Sequence, residues 1–70
     1  MYAPERHRAI LDTARTAGRV EVKNLARQLD VTPETIRRDL TLLERRGLLL
    51  RAHGGAIPVQ RGSIEAPVAE

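Results

Sequence analysis

The chain has no cysteine, no tryptophan and no phenylalanine, and its one aromatic residue is Tyr2. Without cysteine there is neither a disulfide framework nor a thiolate zinc site, so structural zinc is not expected. Without aromatic side chains there is no platform on which unpaired bases could stack, which disfavours single-stranded nucleic acid and leaves duplex as the nucleic-acid ligand to expect. Long hydrophobic runs are missing too. The start, MYAPERHRAI, has no apolar leader core, and nothing approaches the about 20 apolar residues of a membrane span. No membrane association is expected, and the cytoplasm is the expected location.

Positive charge is what the chain has in excess: 12 Lys+Arg against 9 Asp+Glu, a net charge of +3 over 70 residues. Arg61, Glu65 and Glu70 lie near the end, so residues 1–60 hold eleven basic groups against seven acidic ones. The folded part is therefore the basic part, which favours an anionic partner. All the basic residues but Lys23 are arginine, whose planar fork suits bidentate contacts to phosphate and guanine. A chain this short makes one small domain with a thin core.

The apolar spacing predicts a first helix from Pro4 to Ala17, with Ile10, Ala14 and Ala17 on one side, Leu11 at its edge and Gly18 at the left-handed end position. His7 falls near the same face and is expected to be a packed, satisfied side chain. RVEV, Arg19 to Val22, alternates like a very short strand that needs partners from elsewhere. Val22, Leu25, Ala26 and Leu29 then recur at helical spacing with Lys23, Asn24, Arg27 and Gln28 outside. After a turn at Asp30 to Thr32, Thr32 and Pro33 supply a capping hydroxyl and a first-turn proline, opening a third helix that runs to Arg46 and stops at Gly47. Two helices so closely spaced form a helix-turn-helix.

LLLRAHGGAIPV reads as a hairpin turning at Gly54 and Gly55, a wing whose first strand could also pair with RVEV. Pro58 is expected to confine the last strand to an edge. Residues 1–59 are thus read as one mainly α domain with a small β-hairpin, a winged helix-turn-helix of three helices and a two- or three-stranded antiparallel wing. Residues 60–70 are read as a linker.

On a wheel of about 100° per residue, Leu40 and Leu43 lie within about 40° of Ile36, which defines the core stripe. Glu34, Arg38, Thr41 and Arg45 point away from it, and Arg37 lies on the flank. In a duplex complex such a helix enters the major groove, which makes Arg38 the base reader and Arg37 the phosphate clamp. Asp39 borders the core with no opposite charge three or four residues away, so it is expected to orient an arginine from another element, Arg37, Arg8 or Arg51. Leu42, large and apolar on the outer half, is expected to make a dimer or interdomain contact. In the wing, Gly54 and Gly55 would let backbone N–H groups approach a phosphate, with His53 and Arg51 beside them.

TIRRDL, followed by LLERRGLLLRAHGGA and preceded by GRVEVKNLARQLDVT, resembles the N-terminal winged helix-turn-helix of DeoR-type bacterial transcription regulators over roughly Arg6 to Pro58. The resemblance implies a DNA-binding domain with Thr35, Arg37, Arg38, His53, Gly54 and Gly55 at the DNA. Lys23, Thr32, Glu34, Thr41 and Arg51 complete the candidate set. It further implies a regulator, usually a repressor, of carbohydrate or nucleoside catabolic genes. A phosphorylated sugar would act on it through a C-terminal domain beyond the linker. The 70 residues alone are expected to be monomeric and the whole regulator a homo-oligomer.

Two other readings bear on the same residues. An HGG run supplies oxyanion-hole amides in some lipases and esterases, yet there is no G-x-S-x-G elbow and His7 and His53 are the only imidazoles, so no enzyme is expected. Nor is any cofactor or metal expected, since no paired-His motif or carboxylate cluster occurs. A winged helix can also bind protein, but that use needs an apolar recognition face, and Glu34, Arg38, Thr41 and Arg45 are all polar.

Overall fold

Helix α1, Ala3–Ala17, opens with proline in its first turn and closes on Gly18, whose φ of +87° lets its N–H reach the Ala14 carbonyl. The structure is a computed structural model that describes residues 2–59, so the expected linker of residues 60–70 lies outside the described residues. Strand β1 is only Val20–Glu21, and helix α2, Val22–Leu29, follows it directly. Helix α3 spans Pro33–Arg45, with Arg46 as its C-cap. Strands β2, Leu49–Ala52, and β3, Gly55–Pro58, form the hairpin. Three helices and a three-stranded antiparallel sheet make the winged helix-turn-helix that the sequence predicts.

The strand order is β1-β3-β2, which corrects two expectations. RVEV pairs with the second hairpin strand, not the first: Val20 faces Ala56 and Glu21 faces Gly55. Pro58 therefore belongs to the central strand. It is tolerated because β1 is two residues long and begins only opposite Ala56; Pro58 lies beyond that first pair, across from Leu49 of β2, so its missing N–H breaks no ladder bond on the β1 side.

The core holds Ile10 and Ala14 of α1, Val20, Val22, Leu25 and Ala26 around α2, Ile36, Leu40 and Leu43 of α3, and Leu49 and Ala56 of the sheet. The stripe expected on α3 is buried as a unit. Ala17 is exposed instead of packed, because α1 runs past the core in its last turn. Leu42 is half-buried in a groove between α1 and α3 that Leu11 and Leu48 also line.

Asp39 is the one charged side chain among the buried described residues. Its partner is none of the three arginines expected. Arg6, 33 residues away on α1, donates through Nε to Oδ2 and through Nη2 to Oδ1 at 2.9 Å. His7 Nε2 lies 3.0 Å from Oδ1, so the histidine is satisfied as expected. Helix periodicity places Asp39 at the core border but cannot show that the start of α1 crosses there. Burial pushes the Asp39 carboxyl up; the hydrogen bonds and charges of Arg6 and His7 more than offset it, leaving its pKa below the ordinary carboxylate value.

Candidate nucleic-acid interface

The turn between α2 and α3 sets the direction of α3. Asp30 takes the left-handed conformation with φ +58°, and its N–H caps α2 at the Ala26 carbonyl. Thr32 then caps α3: its Oγ1 accepts from the Thr35 N–H at 3.2 Å, and the two hydroxyls lie 3.0 Å apart. Both threonines thus sit at the free N-terminal end of α3, where backbone N–H groups and the helix dipole favour an anion.

Along α3, Glu34, Arg37 and Arg38 are exposed. Arg37 Nη1 stands 3.9 Å from Glu34 Oε1, a loose surface pair of little energetic weight. No salt bridge or side-chain hydrogen bond engages Arg38 among the described residues. Thr41 departs from the wheel. It is half-buried, because Arg51 Nη1 donates to its Oγ1 at 3.2 Å from the wing. On α2, Lys23 is exposed, while Val22 N–H donates to the Gly54 carbonyl at 2.9 Å and ties the start of α2 to the wing tip.

These elements meet in one cleft lined by Glu21, Val22, Lys23, Arg37, Arg51, His53 and Gly54. Four basic or imidazole side chains from α2, α3 and the wing surround it, at the uncapped N-terminus of α2: Glu21 makes no side-chain cap bond and instead accepts from Asn24 Nδ2 at 3.1 Å. A second shallow cleft runs along α3 past Glu34, Arg37, Arg38, Thr41, Leu42 and Arg45. Arg37 borders both.

The two glycines of the wing do different work. Gly54 alone takes a positive φ, +74°, and is exposed at the second position of the His53–Gly54 turn, which suits a type II geometry. Gly55 is buried in β3, and a Cβ there would stand 1.9 Å from the Val20 carbonyl oxygen. Its lack of a side chain admits β1, not a phosphate, and that corrects its place among the candidate contacts. Glu44 was not anticipated. Its Oε2 accepts from the Arg51 N–H at 3.3 Å, and because that partner is backbone, no residue pattern announces it.

A helix that presents Arg37, Arg38 and Arg45 outward, with a wing and a second helix flanking it, is the arrangement of a duplex-binding helix-turn-helix. The model of the DeoR-like helix-turn-helix domain matches residues 6–61. The uncharacterized transcriptional regulator FruR of Bacillus subtilis is 39% identical over 70 residues, all of this chain and 28% of its own length. The glycerol-3-phosphate regulon repressor of Escherichia coli is 41% identical over 56 residues, 80% of this chain and 22% of its own. The L-fucose operon activator of Haemophilus influenzae is 46% identical over 52 residues, 74% of this chain and 21% of its own. No solved structure matches the chain. The chain belongs to the DeoR family of DNA-binding transcription regulators, a family of regulators and not of enzymes. It spans about a quarter of the length of the curated relatives it matches. Among the described residues no helix is long and apolar enough to cross a membrane.

Proposed function

We propose that these residues are the operator-binding part of a cytoplasmic repressor of carbohydrate or nucleoside metabolism genes. In this reading α3 lies in the major groove of double-stranded DNA, Arg38 reads base edges, and Glu34 and Thr41 border it. Arg37, Lys23, His53 and the Gly54 backbone grip phosphates, with Thr32 and Thr35 at the N-terminal end of α3. A phosphorylated sugar acts on the whole regulator through a domain outside these residues. The whole regulator is a homo-oligomer and the 70-residue segment a monomer.

The observation that carries the reading is the cleft that brings Lys23, Arg37 and His53 together from three elements, since a backbone phosphate is the ligand such convergent donors fit. The repressor role is supported by the Escherichia coli relative; the activator from Haemophilus influenzae resembles the chain equally well, so the sign of regulation is set by more than this surface. Selection of bound sequences from a random duplex pool, followed by a salt titration, tests it. A consensus site and a slope of about −0.9 per neutralised phosphate in log affinity against log salt are expected. No duplex affinity even at low salt overturns the reading in favour of a protein-binding module. A promoter reporter carrying the selected site, driven down by the full regulator, tests repression.

A further inference from the structure

Arg51 stands beside the wing turn, where a phosphate contact would be placed, yet its side chain is engaged within the protein. Besides the bond from Nη1 to Thr41 Oγ1 at 3.2 Å, Nε donates to the Gly55 carbonyl at 3.4 Å. The Arg51 backbone N–H donates to Glu44 Oε2. Thr41 in turn donates its one hydroxyl proton to the Arg37 carbonyl at 3.0 Å. A continuous polar chain therefore runs from the wing turn through Arg51 and Thr41 to the backbone of α3 beneath Arg37.

We propose that Arg51 is a positioning residue that latches the wing to the recognition helix through Thr41, and not a phosphate ligand. The inference rests on the duplex-binding reading and deepens it. Leu49 and Ala56 root the hairpin in the core, but its turn end, with Arg51, His53 and Gly54 exposed, lies beyond that packing, and β1 supports the hairpin through two residue pairs. A duplex must be met by α3 and the wing together, and if the two moved independently their ordering would be an added cost of binding. The latch removes that cost in the free protein. It also limits Thr41. With its proton committed to Arg37, its methyl group is what a base can meet, which suits a thymine methyl better than a base acceptor.

The experiment compares the wild-type chain with Arg51→Ala, Arg51→Lys, Thr41→Val and the Arg51→Ala/Thr41→Val double variant. It measures affinity for the selected duplex across salt and, in the DNA-free proteins, 15N relaxation of the His53 and Gly54 amides. Each of the two disruptive single variants should weaken binding about tenfold, and the double variant no further, because both break one connection. Lysine should not rescue, since one ammonium cannot reproduce the two-pronged reach to Thr41 and Gly55. The salt slopes should match the wild type, and the wing amides should gain nanosecond motion in the free variants. The latch is overturned if lysine restores affinity, Arg51→Ala flattens the slope by about one unit, and Thr41→Val leaves affinity and wing motion unchanged. The relaxation arm judges the latch without DNA, so a wild type that bound no duplex would count against the duplex reading alone.

Discussion

Arg37 and Arg38 are neighbours in sequence but about 100° apart on α3, and the proposed reading gives them separate roles on that ground. Arg37→Ala should weaken specific and unrelated duplexes alike. Arg38→Ala should cost about 1 to 3 kcal/mol of discrimination, the worth of a bidentate guanine contact. Competition binding with selected and scrambled duplexes checks this, and equal loss of discrimination from both substitutions would remove the distinction. Asp39 makes a different prediction. Its pKa is lower in the folded than in the unfolded chain, so its stabilisation is complete above the unfolded carboxylate value of about 4 and is lost as pH falls through the folded value. Melting temperature should therefore drop in that acid range for the wild type and much less for Asp39→Asn. That Glu34, Arg38 and Arg45 reach outward was legible from the wheel; the cover that Arg51 gives Thr41 and the arginine that holds Asp39 were not, because contacts made by another element leave no periodic trace.

Among the elements, the helices were legible almost to the residue, because capping and apolar spacing are local signals. The sheet was legible in content but not in order: β1 is two residues long, and nothing in RVEV says which hairpin strand it joins. The buried Gly55 follows from that order and was equally hidden. Thr32→Ala should cost about 1 kcal/mol through the lost cap on α3. Asp30→Gly should stabilise by about 0.5 to 1 kcal/mol, since glycine relieves the left-handed strain and gives back only part of it as chain entropy. Urea melts of both variants with unchanged slope check the pair; destabilisation by Asp30→Gly would mean that the aspartate side chain supports the turn.

Across the whole molecule, a thin core makes each large buried residue decisive. Ile36→Ala or Leu43→Ala should cost about 2 to 5 kcal/mol, enough to unfold a domain of this size without touching the exposed side of α3. Thermal melting followed by circular dichroism measures it, and an intact transition with lost binding would show that α3 had been oriented wrongly. The strand order carries a consequence for how the chain is made. The outer strands β1 and β2 are synthesised first and never pair with each other; both pair with β3, which comes last. As the chain grows from its N-terminus, its helices can form in turn, but no strand has a partner until Gly55 to Pro58 have been added. Assembly of the sheet, and with it the closing of the wing against α3, is deferred to the end of the domain's synthesis.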